Sequence, residues 1–322
     1  MCKDDSDNIA PPQPKPSTLM EAMSQACSQS LSRPVQLEPT RGGGASGGGG
    51  ASVSAAVDTL TGTKYFVKKT SVNGGGAEML HAEFLGVQEM SLTQTIKVPT
   101  PVAFGTYDGL PSPMAFCVFE YLEMGGGGSQ FELGVQLAKL HKNTSSNSKF
   151  GFSVDNTIGA TPQPNTWKDT WVEFWDSERL GHMLSLTGNA GLDNAKVQAL
   201  RHKTKEILSE QTVVPSLIHG DLWGGNKGFA REGGDGAGTM VPVIFDPATY
   251  YGDREADIAM TYLFGGFSPD FYEGYETEWP LLPGHEKRRT VYNLYHILNH
   301  DVLFGGMYLR QAQGMIDEIL RM

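Results

Sequence analysis

One segment, LIHGDLWGGNKGF from Leu217 to Phe229, limits what this chain can fold into more than any other. It sets His219, Gly220 and Asp221 ahead of Asn226, with four residues between the carboxylate and the amide. Asp and Asn are common turn formers, so this spacing alone is a weak signal. The next segment strengthens it. Lys227–Ala230, a glycine-rich turn at Gly233–Gly238 and Val241–Phe245 read as a β-hairpin whose second strand ends in Asp246-Pro247-Ala248. A loop joined to a hairpin in this way brings a carboxylate, an amide and a second carboxylate to one place from two directions.

Mg²⁺ ions that bridge the phosphates of ATP require hard oxygen ligands arranged like this. Kinase catalytic loops have the form H-R-D-x-x-x-x-N, with D-F-G on the hairpin after it; here the two read H-G-D-L-W-G-G-N and D-P-A. On that reading Asp221 takes the proton of the acceptor hydroxyl, Asn226 and Asp246 are metal ligands, and ATP and Mg²⁺ are the cofactors. Upstream, the strand Lys64–Lys69 puts Phe66 and Lys68 on one face. A helix over Glu78–Met90 carries Leu80, Phe84 and Val87 on one stripe, with Glu83 among them. An inward carboxylate is costly unless paired. Lys68, placed to hold the α/β-phosphates, is the candidate partner; the other reading leaves Glu83 in water at the edge of the stripe. The strand Phe116–Tyr121 stands where an interlobe hinge belongs, so that backbone groups of Glu120, Tyr121 and Leu122 meet the adenine. RGGGASGGGGAS, Arg41 to Ser52, reads as a flexible linker by composition. By position, one strand before Lys68, it reads as a phosphate-covering loop with Gly49, Gly50 and Ser52 nearest the nucleotide. Asp253-Arg-Glu-Ala-Asp257 comes almost at once after Asp246 and no A-P-E appears, so no platform for an extended peptide is expected. The acceptor is then small, or a side-chain adduct.

At 322 residues, 39% of them hydrophobic, the chain has length for a substantial core in two lobes. The expected fold is α+β and bilobal: residues 34–124 a small β-rich nucleotide-binding lobe, and 125–322 a larger helical lobe carrying catalysis and the acceptor site. The flexible joint Glu123-Met-Gly-Gly-Gly-Gly-Ser lies between them. Residues 1–33 are set apart as disordered or short-helical, with 1–17 polar and Pro-rich and a helix expected over Leu19–Leu31. A net charge of −11 with no basic stripe argues against nucleic acid, and no apolar run of about 18 residues argues against a bilayer span. Cys2, Cys27 and Cys117 form neither a C-x-x-C pair nor an even framework, and the first residues hold no apolar signal core. A reducing cytoplasmic setting is expected, or a plastid if a transit segment has been removed. A homodimer is left open, with nothing in the sequence to support it.

Four stretches together carry a resemblance: HGDLWGGN, DPATYYGDREADIAMTYLFGGF, TPQPNTWKDTWVEFWDSERLG and NLYHILNH. They resemble the motifs of fructosamine-3-kinases, also called ketosamine-3-kinases or protein-ribulosamine 3-kinases, from about Gly49 to the C-terminus. Aminoglycoside and choline kinases share the H-x-D-x-x-x-x-N core but not the tryptophan-rich and FGGF segments. The resemblance implies a protein-kinase-like, aminoglycoside-phosphotransferase-like fold. It also implies ATP-dependent phosphorylation at O3 of ribulosamine or fructosamine adducts on lysine, in glycated proteins or small ketosamines. A phosphate at C3, next to the C2 ketone, is a good leaving group, so the adduct decomposes and the amine is freed. Matched motif by motif, it implies Asp221 as base, Asn226 and Asp246 as metal ligands, Lys68 with Glu83 at the phosphates, and Glu120, Tyr121 and Leu122 at the hinge. Trp223 either lines the sugar site or packs in the core; Asp257 and His219 brace the loop; His300 is expected as a satisfied core histidine rather than a group facing the acceptor. The sequence departs from plant-type members, which have a cysteine just before the glycine loop, because Thr40 and Arg41 stand there. An alternative is a related kinase acting on a free amine-bearing sugar or alcohol.

Overall fold

Alternation in the strand of Lys68 explains how the first lobe divides into a core face and a cleft face. The structure is a computed structural model and describes residues 15–40, 45–46, 50–109, 111–233 and 238–322; of the residues 1–17 expected to be disordered, 1–14 fall outside it, while Ser17 donates from its amide and hydroxyl to the Glu21 carboxylate. Helix α1 (Leu19–Leu31) is opened by Thr18, whose hydroxyl accepts from the Glu21 amide at 3.2 Å. Then come β1 (Leu37–Pro39), β2 (Ala45–Ser46), β3 (Ser52–Asp58), β4 (Lys64–Ser71), α2 (Gly76–Leu92), β5 (Pro101–Tyr107) and β6 (Met114–Glu120). The strands make a six-stranded antiparallel sheet in the order β1-β3-β4-β6-β5, with β2 also on β3. In β4, Tyr65 and Val67 face one way, into a core with Met23 and Cys27 of α1 and Val118 of β6. Phe66 and Lys68 face the other way, toward α2 and the cleft. α1 is thus a cover for the outer face of this sheet. Asp58 ties it down: its carboxylate accepts from Arg33 at 2.8 Å and from the Gln36 amide at 3.1 Å.

Beyond the glycines at 125–128 the chain turns helical. α3 (Gln130–His141) is followed by the short pair β7 (Asn156–Ile158) and β8 (Thr161–Gln163). α4 (Trp171–Phe174) widens into a π-helical stretch, Trp175–Gly181, and narrows again as α5 (His182–Leu186). After α6 (Asn194–Leu208) come β9 (Ser216–Ile218), the expected hairpin β10 (Lys227–Glu232) with β11 (Thr239–Ile244), and β12 (Tyr250–Gly252). Four helices finish the lobe: α7 (Arg254–Leu263), α8 (Pro269–Glu278), α9 (His285–Phe304) and α10 (Met307–Arg321). Trp171, Phe174, Trp175, Tyr250, Tyr292 and Tyr295 form its aromatic centre. There the Trp171 indole donates to the Tyr292 hydroxyl at 3.0 Å, which donates to Asp253 at 2.6 Å, so the polar tips of Trp171 and Tyr292 both have partners. β12 pairs with β9, Tyr250 opposite Ile218, which fixes the strand that feeds the HGD loop. Among the described residues no helix is long and apolar enough to cross a membrane.

Candidate active site

The cleft between the sheet and the helical lobe collects the residues singled out in the sequence. Lys68, 4% exposed, donates from Nζ to Glu83 Oε1 and to Asp246 Oδ1, each at 2.6 Å. Glu83 therefore faces inward from α2, and the reading that left it in water is set aside. Burial disfavours charge on Lys68, but the two carboxylates outweigh it and hold the amine above its ordinary range. A cation shared by two elements of one lobe and the end of a hairpin of the other joins the lobes across the cleft.

The loop after β9 is held from beneath. Asp257, near the start of α7, accepts from the amides of His219 at 2.7 Å and Gly220 at 2.8 Å, and lies 3.1 Å from His141 Nε2. His219 is fully buried; its Nε2 meets the Phe245 carbonyl at 2.9 Å and its Nδ1 accepts from the Asp221 amide at 3.2 Å. That pattern assigns the proton to Nε2, and burial keeps the ring neutral. Gly220 sits at φ +82°, where a Cβ would come 2.1 Å from the Ala248 carbonyl oxygen, so glycine alone fits. Asp257 and His219 both brace the loop, as the sequence implied.

Asn226 donates from Nδ2 to the Asp221 carbonyl at 2.9 Å and to Asp221 Oδ2 at 3.1 Å, with a longer contact to the Asp246 carbonyl at 3.3 Å. With its NH₂ group engaged there, its amide oxygen points away from those acceptors. Asp246 is held at φ +57°, an uncommon conformation for a residue with a side chain, and one that puts its carboxylate against Lys68. Burial pushes the Asp221 carboxyl up to about 7 against the hydrogen bond from Asn226, with the charges of Asp246 and Asp257 adding to the rise.

Asp221, Trp223, Asn226, Asp246, Lys68 and Glu83 all line one cavity of about 870 Å³. A narrower, mostly apolar pocket of about 290 Å³ adjoins it, between Phe66, Val87, Phe119, Tyr121, Leu122 and Met124. The Glu120 side chain braces this pocket's edge, accepting from Lys97 at 2.9 Å and from the Thr100 hydroxyl at 2.7 Å. Gly50 lines the larger cavity at φ +84°, while Gly49 lies outside the described residues. Ser52 is exposed, its hydroxyl donates to the Lys69 carbonyl at 3.3 Å, and it lines neither pocket. Trp223 is 42% exposed on the cavity wall, so core packing does not describe it.

His300 requires a correction. It is half-buried and lines the cavity, its Nδ1 2.8 Å from the His296 carbonyl, because α9 leaves the core in its last turns. Phe264, Phe304, Tyr308 and the Thr157–Ala160 turn share that wall and were missed. FGGF and NLYHILNH were the available signals, since both stand at this end of the cavity.

The donor set suits a nucleotide with Mg²⁺. Among the described residues no three acidic, His or Cys side chains cluster as a metal cage. Mg²⁺ does not need one, because it keeps phosphate and water ligands beside one or two protein oxygens, and the Asp246 carboxylate and Asn226 amide oxygen are oxygens that would suit it. The pocket beside β6 is lined mainly by apolar side chains, Phe66, Val87, Phe119, Leu122 and Met124 among them.

Comparison with known proteins agrees with this geometry. The fructosamine kinase family model matches residues 19–322. A probable ketoamine kinase of Synechocystis is 41% identical over 303 residues, 94% of this chain and 97% of its own. A chloroplastic protein-ribulosamine 3-kinase of Arabidopsis thaliana is 41% identical over 261 residues, 80% of this chain and 76% of its own. The crystal structure of a proposed fructosamine-3-kinase from Haemophilus somnus superposes with a TM-score of 0.75 at 25% identity, covering 92% of this chain and 96% of that one. The bilobal, protein-kinase-like architecture and these matches lead to one conclusion: the chain is a kinase belonging to the fructosamine kinase family.

Proposed function

We propose that this kinase uses ATP and Mg²⁺ to phosphorylate O3 of ribulosamine or fructosamine adducts on the lysines of glycated proteins, which leads to their deglycation. The observation that carries the reading is the single cavity in which Asp221 and Trp223 stand beside Asn226, Asp246 and Lys68. When bound, Mg–ATP supplies the phosphoryl group and neutralises part of its charge. Lys68, already a cation, holds the phosphates, and Glu83 holds Lys68. Asn226 and Asp246 would hold the Mg²⁺ on their side-chain oxygens. The backbone of Glu120–Leu122 and the apolar pocket beside it hold the base, and Gly50 lets the chain come close to the phosphates. Asp221 takes the proton of the acceptor hydroxyl as that oxygen bonds to the γ-phosphorus of ATP, the bond from the γ-phosphorus to the β,γ-bridging oxygen breaks and ADP leaves; a carboxyl raised toward neutral pH is suited to that proton transfer. Trp223 offers its face to the sugar. Enolisation of the C2 ketone toward C1 then lets the C3 phosphate leave as inorganic phosphate, and water hydrolyses the imine left at C1 to the free lysine amine and a 3-deoxy dicarbonyl sugar.

The test is direct. Purified enzyme with Mg–ATP is offered ribulosyl-lysine, fructosyl-lysine and a glycated protein, with choline and an aminoglycoside as controls, and phosphorylated product and released amine are followed by mass spectrometry. Phosphorylation and amine release with ketosamines are expected, and turnover confined to the control substrates would sink the reading.

A further inference from the structure

The FGGF loop, Phe264–Phe267, and the junction of α9 with α10 have no part in the chemistry above, yet both reach the cavity. Gly266 packs backbone to backbone on Gly224 of the catalytic loop: a Cβ on Gly266 would lie 2.8 Å from the Gly224 Cα, and one on Gly224 would lie 2.8 Å from the Gly265 carbonyl. This contact sets Phe264 beside the catalytic loop. From there rings succeed one another outward. Phe264 lies 4.7 Å from the His300 ring, and His300 lies 5.6 Å from Phe304 and 5.1 Å from Tyr308. All four line the cavity; His300 and Tyr308 are half-buried, Phe264 is 40% exposed and Phe304 68%, and Met307, which begins α10, reaches 76%. Between the helices Gly305 and Gly306 take φ +62° and +71°, a sharp corner that turns Phe304 and Met307 out together.

We propose that this strip, from Phe264 through His300 to Phe304 and Met307, docks the polypeptide that carries the modified lysine, by holding apolar side chains that flank it. The inference rests on the ketosamine reading of the cavity and extends it from the adduct to the carrier chain. Continuity of the cavity wall with its rim supports it. An adduct whose sugar reaches Asp221 must leave its own main chain at the mouth, because a lysine stem is only four carbons long. What the enzyme presents there is the aromatic surface of Phe264 and Phe304, with the exposed Met307 thioether three residues beyond Phe304, and such surface at a site rim marks a recognition surface. The short interval from Asp246 to Asp253, too short for an activation segment, agrees with this, because recognition then falls to side chains next to the lysine.

The experiment compares Phe304→Ser/Met307→Ser with the wild type on three substrates. These are free fructosyl- or ribulosyl-lysine, a peptide with the same adduct flanked by Leu and Phe, and that peptide with Gly and Ser flanks. The substituted residues are largely exposed, so folding should be retained, and an unchanged melting temperature will verify it. The wild type is expected to favour the apolar-flanked peptide, and the variant to lose about tenfold more kcat/KM on it than on the free adduct, as truncated interface anchors do. Equal losses on peptide and free adduct, or no flank preference in the wild type, overturn the docking proposal while leaving the ketosamine reading intact. Failure of the wild type on every ketosamine removes both. A concentration-dependent dimer that the variant abolishes, with no flank preference, would reassign the strip to self-association.

Discussion

Lys68, Glu83 and Asp246 are three residues from three parts of the chain that meet within 2.6 Å contacts, and their coupling is measurable. Lys68→Met should raise KM for ATP and lower kcat, whereas Lys69→Met, one residue along on the opposite face of β4, should do little. Glu83→Gln should reproduce part of the Lys68 defect, and the double variant should fall well short of the sum, as contacting residues do. Simple additivity, or a larger effect at Lys69, would mean that the pair does not act together at the nucleotide. Asp221 belongs to the same scale but acts on the acceptor. Asp221→Asn should lower kcat by about 10²–10⁴-fold with ATP affinity nearly intact, and an activity within threefold of wild type would remove it from proton transfer. Asp246→Ala should instead abolish Mg²⁺-dependent ATP binding, and calorimetry showing unchanged Mg–ATP affinity would limit Asp246 to its ion pair.

At the scale of elements, α1 is held to the first lobe by a buried carboxylate. Asp58 has no exposed surface and accepts from Arg33, the amides of Gln36 and Leu60, and the Thr61 hydroxyl. Burial by itself would raise its pKa, but these donors outweigh it and bring the carboxyl to about 2, below the ordinary carboxylate value near 3.8. A depressed folded-state pKa gives stability that is fully present above the unfolded value and is lost as pH falls through the folded one. The gap in melting temperature between wild type and Asp58→Asn should therefore be constant from neutral pH to about pH 4.5 and narrow toward pH 2. A gap that widens on acidification would contradict the assignment. The helix α1 itself could be read in the sequence, since its bounds are those expected, but its docking could not. The cysteine that packs it, Cys27, is buried with its thiol pushed up to about 12, which makes it an inert core residue here.

Across the whole molecule, the helical lobe depends on ionic pairs enclosed by its core. Arg288 from α9 donates to both oxygens of Glu255 at the start of α7, at 2.6 and 2.9 Å, with both side chains at most 5% exposed. Arg288→Met leaves a buried carboxylate without its cation and should cost about 3–5 kcal/mol, read as a large fall in melting temperature. Arg288→Met with Glu255→Gln should recover part of that loss, because the stranded charge is gone. A double variant no better than the single one would place the cost in packing instead.

Local rules determined much of this protein. The HGD loop, its hairpin and Asp246 were legible because their chemistry requires particular residues at fixed spacing. Phe66 and Lys68 were legible because a strand alternates, and α2 because an amphipathic helix repeats. Other elements carried no such pattern. Every residue of α9 from Val291 to Asn299 is buried, with Asn293, His296 and Asn299 among them, so no polar face alternates with an apolar one and the period that marks a surface helix is lost. β9 and β12 are three residues each and exist only because they pair across a gap of more than thirty residues. Whether Glu83 faced water or Lys68, whether Trp223 was core or wall, and that His300 would open onto the cavity depended on which surfaces meet. Burial and ion pairing arise when distant segments pack together, so that decision belonged to the tertiary structure.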